Sequence, residues 1–474
     1  MLFPTIDFAI FFVVVFLGHW LLNPHPRPWK VFMIVASYVF YGWWDWRFVF
    51  LLAAATVIAQ VGARAVERAP DPRRRRPLLA ATVTGLLGLL VWFKYYGFLS
   101  LNFDNALHGI GLGPPLPLMQ VALPIGISFF TFMAISYVVD VSRGELRTAS
   151  WLDVAVYLSF FPHLVAGPVV RGRELLPQVR KRRDPRRIDY ARAGYLIFGG
   201  LFKKVVISSF LASAIVDPVF GTPGQHASLE ILVAIYAYAV QIYADFSGYT
   251  DIAIGVALLL GFRFPENFNA PYAARSMQDF WRRWHMSLSR WLRDYLYVPL
   301  GGSRGRKWKT YRNLMITMVL GGLWHGASWT FVLWGAYHGA CVAVGRLRRQ
   351  HRAARGLPEL DDRPGSAFVQ RVVTFHLVCL GWVFFRADSV STALALLGRL
   401  VSSLGPAPAV TPLVLAVIAG AIAAQYLSRD LSASLQDRFS RLGPTVQGAA
   451  LAAGLYIITT LGPQGVAPFI YFRF

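Results

Sequence analysis

The chain has 474 residues, 55% hydrophobic and 15% aromatic, with a mean hydropathy of +0.46 and a formal net charge of +23. That apolar fraction exceeds what soluble domains carry, and nothing in it resembles the alternating ten-residue strands of an outer-membrane barrel. The charge argues against a nucleic-acid partner because it is clustered: 31 of the 47 Lys and Arg lie in four polar stretches, 68–77, 171–192, 275–312 and 346–371.

Several windows hold about 17–22 mostly apolar residues, enough to cross a ~30 Å hydrocarbon core. Loops rich in Lys and Arg stay on the cytoplasmic side, so the four basic stretches mark the inner face and contact anionic headgroups. The first segment, MLFPTIDFAIFFVVVFLGHW, lacks a basic n-region and a cleavage site and reads as a retained span near 4–22. Spans near 30–44 and 47–66 follow. Arg27 and Lys30 place the loop between the first two inside, which puts the N-terminus outside and YGWWDWR (41–47) at the outer interface.

Three apolar runs, 78–99, 119–141 and 151–170, lie between the first two basic loops, and SRGELR (142–147) is basic as well. Three crossings cannot join two inner loops. The run 151–170, with Pro162, Gly167 and Pro168, is therefore expected to be re-entrant and broken, either buried in protein or lining a wet cavity. Spans near 193–215 and 229–262 go out and back. After the fourth basic stretch come spans near 371–387, 410–427 and 445–462, leaving the C-terminus outside. Cys341 and Cys379 fall in apolar stretches and read as buried thiols.

The expected architecture is an all-α polytopic membrane protein with about 10–11 transmembrane helices plus re-entrant and interfacial pieces. One membrane domain covers 1–474. Within it, 1–120 carries the N-terminal spans, 121–345 the core with re-entrant segments, 346–370 a cytoplasmic loop and 371–474 the C-terminal spans.

Within 313–345 the stretch GGLWHGASW (321–329) sets His325 among glycines. Thirty-three residues are short for two full spans, so a short helical pair is expected with its turn near His325. From Asn313 to His325 is ~18 Å of helix, about mid-membrane. An ionisable group there points to function; a packed histidine bonded to a carbonyl is the bland alternative. His338 lies on another face, and the packed reading leads for it. In 271–313, Trp281, Trp284, Leu288, Trp291, Leu292 and Tyr295 form the apolar face of a basic amphipathic helix expected at the inner interface. His285 falls on that stripe, as a packed histidine or a functional one. Asp245 and Asp251 lie inside the apolar run 237–262, where Asp245 either orients an imidazole or pairs with a cation.

These residues carry a resemblance. LPIGISFFTFMAISYVVDVSRGE (123–145), FFPHLVAGPVVR (160–171), DFSGYTDIAIGVALLLGFRFPENFNAPY (245–272), SMQDFWRRWHMSLSRWLRDYLYVPLGG (276–302) and GGLWHGASWTFVLWGAYHG (321–339) are together similar to the membrane-bound O-acyltransferase family, in its bacterial alginate-O-acetyltransferase-like branch. The closing PFIYFRF (468–474) is also similar. The resemblance implies a ring of helices around a thin partition with a central funnel, in the bacterial inner membrane. It maps the family's central histidine to His325 and its second histidine to His285.

The resemblance further implies acetyl-CoA, or an acyl-carrier thioester, as a donor from the cytoplasm, with no tightly bound cofactor or metal. The acceptor is a hydroxyl outside, usually reached through an outer-side acetyltransferase partner protein that acetylates an exported polysaccharide. Imidazole titrates at ~6.5, which suits a general base for acyl transfer to a hydroxyl. Trp281, Trp284, Trp324, Asn313, His338 and Asp245 are expected as channel or supporting residues. Arg282, Arg283, Arg304 and Lys307 suit either the donor's phosphates or lipid headgroups. A neighbouring branch that moves D-alanine from a carrier protein to teichoic acids, a transporter and a structural scaffold are the competing readings.

Overall fold

The computed structural model describes residues 1–111, 121–427, 429–462 and 470. The closing PFIYFRF and the outward C-terminus lie outside these residues, Ile470 excepted. Among the described residues every regular element is helical. Five helices, Arg47–Arg68, Pro72–Gly109, Tyr190–Gly221, Ser228–Leu259 and Pro364–Arg386, are long and apolar enough to cross a membrane, and shorter apolar helices accompany them. Ile10, Val14, Leu17 and Leu21 stand exposed along the first helix, a surface that only lipid covers without cost. This is an all-α, multi-pass membrane protein. Its residues group into two compact units, 1–193 with 253–265, and 194–252 with 266–474.

The first unit holds α1 (Ile6–Leu22), α2 (Pro26–Gly42), α3 (Arg47–Arg68), α4 (Pro72–Leu90), α5 (Tyr96–Gly109), α6 (Ile127–Ser142) and α7 (Trp151–Ser159). α3 packs on α4 and α6. Gly62 makes the first contact close: a Cβ there would stand 2.2 Å from the Thr82 side chain. Buried polar groups close on one another, as a low-dielectric interior demands. Tyr137 donates to Gln60 Oε1 (2.8 Å), Gln60 Nε2 donates to the Ala149 carbonyl (2.7 Å), and the Ala149 N–H returns to the Tyr137 hydroxyl (3.1 Å).

The run 151–170 is broken, as its Pro and Gly content predicts. α7 ends at Ser159, a single turn Phe161–Leu164 follows, and the backbone is irregular to Arg171. Gly167 has φ +142, and Gly126, at φ +78, brings its backbone onto the Leu164 carbonyl, 2.5 Å from where a Cβ would stand. Of the two outcomes open for such backbone, burial is the one found: Phe160, Phe161, His163 and Leu164 are all fully buried.

The second unit holds most of α8 (Tyr190–Leu201) and α9 (Ser228–Leu259), then α10 (Met277–Arg283), α11 (Met286–Leu292), α12 (Lys307–His325), α13 (Trp329–Ala354), α14 (Pro364–Arg386), α15 (Val390–Ser402), α16 (Pro412–Ala423) and α17 (Pro444–Leu461). α15 has no counterpart among the expected spans. Its 13 residues are too few to register as a crossing, and Arg399 and Ser403 tie it to the start of α9 through His226 and Ser228.

The pair α12–α13 forms the hairpin expected around 325, but longer than 313–345 allows. α12 starts at Lys307 and α13 runs to Ala354, so both reach into the basic flanks, where long Lys and Arg side chains extend a helix beyond the apolar core. Glycine sets their spacing. A Cβ on Gly322 would lie 2.2 Å from the Phe331 carbonyl oxygen, and one on Gly335 would lie 2.4 Å from that of Met318. Both clashes are with backbone, which cannot rotate away. Gly335→Val is expected to cost more than the ~1–3 kcal/mol of ordinary overpacking and to deplete the folded, monodisperse protein in fluorescence-detected size exclusion, while Gly345→Ala, with open space around it, leaves it unchanged.

Candidate active site

The glycine hairpin and the basic aromatic segment meet at two imidazoles. His325 is the last residue of α12, followed by the turn Gly326–Ser328. His285 stands between α10 and α11. Leu292 of α11 lies 3.2 Å from the Cβ position of Gly321, so the missing side chain on α12 is what lets α11 approach. The two rings are 6.5 Å apart between centroids, with Trp324 beside both, at 5.9 Å from His285 and 4.9 Å from His325.

The helix expected to run unbroken through 281–295 is interrupted. His285 has φ +42 and ψ +54, the left-handed region that β-carbon-bearing residues seldom adopt. The turn is held by Asn267, which sequence reasoning missed. Its Oδ1 accepts from the Ser287 N–H (3.1 Å) and hydroxyl (2.8 Å) and faces His285 Nδ1 at 3.2 Å, and its carbonyl accepts from the Met286 N–H. An atom that accepts from a backbone N–H is the amide oxygen, so His285 Nδ1 carries the hydrogen and the neutral ring presents its lone pair at Nε2. Phe246 packs edge-on to this ring at 4.6 Å, and Nε2 is buried with no hydrogen-bond partner among the described residues.

Asn267→Ala is expected to remove the shared acceptor of the His285 and Ser287 donors, lowering stability by about 1–3 kcal/mol, and to cut turnover further than it cuts folded protein. Asn267→Asp, which keeps the acceptor, is expected to retain most of both. Thermal unfolding and turnover of the purified variants check this.

His325 is 3% exposed. Its ring is edged by Trp334 at 5.1 Å and Phe385 at 5.2 Å as well as by Trp324. A cavity of 540 Å³ begins at the next residue: Gly326, Ala327, Ser328, Thr330 and Phe331 form one wall, and Lys204, Ser208, Gln241, Asp245 and Arg386 line it elsewhere.

Asp245 faces this cavity and not the histidines. It is paired with Lys204, and it accepts from the Ser208 hydroxyl (3.3 Å) and the Ile470 N–H (2.9 Å). Lys203 pairs in the same way with Asp251. The two lysines follow α8 on a π-helical turn, Phe202–Ser208. Gly200 and Gly248 bring this segment against α9 backbone to backbone, each Cβ position within 2.7 Å of the other's carbonyl oxygen. The lysines were missed although the signal was present, since FKKVV places two cations in an apolar run opposite two carboxylates.

The remaining expected residues separate by location. Trp281 lies edge-on to Trp334 at 5.6 Å and His338 at 5.4 Å, and Trp284 packs on Trp382 and Phe268, each at 5.0 Å. His338 is fully buried among these rings, with Gly381 backbone against its Nε2. Asn313 is structural: its Nδ2 donates to the Gly302 carbonyl (3.1 Å) and fixes the turn before α12. Arg283 is paired with Asp279 at 2.8 Å, and Arg282, Arg304 and Lys307 are exposed. The structure does not bring these cations to the imidazoles.

Two buried imidazoles, one at the end of the glycine hairpin's first helix and one between α10 and α11, thus lie near a polar cavity that opens at Gly326, and the sequence comparisons give the family. Residues 74–381 match the family model of MBOAT, the membrane-bound O-acyltransferase family. The chain belongs to that family. Among its relatives, the "Probable alginate O-acetylase AlgI" of Pseudomonas aeruginosa is 42% identical over 396 residues, covering 83% of this chain and 73% of the relative. The peptidoglycan O-acetyltransferase of Helicobacter pylori is 34% identical, over 84% and 79%. A teichoic acid D-alanyltransferase of Bacillus subtilis is 28% identical, over 55% and 68%. This membrane-bound O-acyltransferase is thus more similar to these two relatives named for O-acetyl transfer than to the D-alanyltransferase.

Proposed function

We propose that this acyltransferase moves an acetyl group from a cytoplasmic thioester, acetyl-CoA, to a hydroxyl on the outer side of the bacterial inner membrane, and from there to an exported polysaccharide through an outer-side partner protein. The observation that carries the reading is the placement of His325: α12 rises from the basic end at Lys307 and delivers its last side chain beside a polar cavity at the opposite end. With the basic stretches inside and the N-terminus outside, that cavity faces the acceptor compartment.

In this reading His325 takes the proton of the acceptor hydroxyl as its oxygen attacks the thioester carbonyl. The C–O bond forms, the C–S bond breaks, and the thiolate leaves with the proton. Neutral His285, with its lone pair at Nε2, supplies no proton to the developing oxyanion in this reading and instead packs the reacting centre through Trp324. Phe331 and Phe385 must shift for substrate to reach a ring so little exposed. The exposed Arg282, Arg304 and Lys307 attract the donor's phosphates or lipid headgroups at the inner face. The test is release of free thiol from acetyl-CoA by the purified protein supplied with an alcohol. Absence of thiol release, with release restored by a D-alanyl carrier thioester, would transfer the assignment to the D-alanylating branch. Transport of an intact substrate without thioester consumption would replace both.

A further inference from the structure

We infer that Arg183 is the centre of a phosphate-binding site at the basic end of the first unit, built to hold the headgroup phosphate of an anionic membrane lipid or a soluble phosphate of the same chemistry. The inference goes beyond the acyl transfer proposed above and owes nothing to it.

This arginine is held by its ring neighbours, its stem, its backbone and its head. The guanidinium lies between Trp29 and Phe262, 4.1 Å from each ring centroid, and Trp29 Nε1 donates to His19 Nδ1 (3.0 Å), which fixes that ring. Gly261, at φ +77, makes room for the stem: a Cβ there would stand 2.8 Å from Arg183 Cγ. Asn23 secures the backbone, donating from Nδ2 to the Arg183 carbonyl (2.9 Å) and accepting its N–H (3.4 Å). Nη2 donates to the Gln178 carbonyl (2.8 Å), and the Gln178 side chain clamps the Arg263 backbone at 2.8 and 3.0 Å. Ordering a long side chain this fully forfeits its rotamer freedom, which a solvated surface charge does not require.

What the arginine lacks is an anion. Among the described residues Arg183 makes no ion pair, and the carboxylate next in the chain, Asp184, accepts from the Arg186 N–H (3.0 Å) and pairs with Arg187. Nη2 is the one guanidinium nitrogen with a hydrogen bond among the described residues, and Nε is buried without one. Two stacked rings offset only part of the cost of covering a charge, and burial pushes the Arg183 pKa down to about 9. Lys181 and Arg182 stand exposed beside it, so an arriving anion meets three consecutive cations. A planar guanidinium held in one orientation suits the oxygens of a phosphate better than a mobile ammonium does. The location fits the same ligand. The cluster lies where α1 ends at Leu22 and α2 begins at Pro26, with Trp20 on the last turn of α1, the level at which headgroups and interfacial tryptophans meet.

The experiment is native mass spectrometry of the purified full chain titrated with phosphatidylglycerol or phosphatidylcholine of matched acyl chains. The wild-type protein is expected to bind phosphatidylglycerol about tenfold tighter, the scale of one charge-assisted hydrogen bond. Arg183→Gln is expected to abolish that preference, and Arg182→Gln, at the exposed neighbour, to change it by less than about twofold. Arg183→Lys keeps the charge but not the flat fit between the rings; it is expected to lose about threefold, and it carries the comparison if the glutamine variant does not accumulate. In a second arm, inorganic phosphate is added to lipid-free protein and the unfolding midpoint is followed. A lipid preference that depends on Arg183 assigns the site to a headgroup, whereas a phosphate-induced rise that depends on Arg183, without a lipid preference, assigns it to a soluble phosphate. The inference is overturned if the wild-type protein shows neither response, or if replacing Arg182 costs as much as replacing Arg183.

Discussion

Replacing His325 with glutamine is expected to lower acetyl transfer by about 10²–10⁴-fold, the range over which a positioned general base contributes. The folded protein is expected to persist, because the amide keeps most of the ring's volume among Trp324, Trp334 and Phe385. Alanine makes a harsher test, since a hole between three aromatic rings adds a cavity cost to the lost chemistry. Turnover of the glutamine variant per mole of monodisperse protein is the decisive measurement. Near-wild-type turnover would remove His325 from the chemistry and leave it as a packed ring at the end of a helix.

The second large effect is expected at Lys204. Its ammonium is fully buried and paired with an equally buried Asp245. Removing one partner of such a pair leaves the other charged in a medium that solvates it poorly, at a cost of about 3–5 kcal/mol. Lys204→Met should therefore deplete the folded protein sharply, although Asp245 retains the Ser208 hydroxyl and the Ile470 N–H. The double variant Lys204→Met/Asp245→Leu, which removes both charges, should recover much of the yield and unfolding midpoint. If the single and double variants unfold at the same temperature, the pair is not what holds α9 to the segment after α8. The double variant also separates folding from function, because a refolded protein with a remodelled cavity wall shows whether turnover depends on that wall.

Much of the candidate site was legible because membranes constrain composition severely. His325 and Asp245 stood out as ionisable groups in apolar runs and His285 as a histidine on the apolar stripe of a basic amphipathic segment, and the glycines around His325 marked a turn that the structure places at that residue. The break at 160–167 followed from proline and glycine in an apolar run of the wrong parity. Asn267 was not legible in this way. Asparagine is common in loops, and its role is to accept from donors 18–20 residues away. The kink at His285 was hidden for a related reason: WRRWHMSLSRW has helical spacing throughout, and only the anchor at Asn267 makes the left-handed turn stable. The pairing of Lys204 with Asp245 spans 41 residues; sequence shows charges of both signs, but not which meets which.

By itself, then, the sequence determined the solvent of this protein, its helical class and the short set of buried ionisable residues, because hydrophobic length, basic clustering and ionisable groups in apolar runs are local properties. Only the tertiary structure decided that Asp245 answers a lysine instead of a histidine, that two imidazoles from separate segments stand 6.5 Å apart, and that a polar cavity starts at Gly326. Those outcomes depend on which helices can approach one another. Gly200, Gly248, Gly321, Gly322 and Gly335 govern that approach, through the side chains they lack.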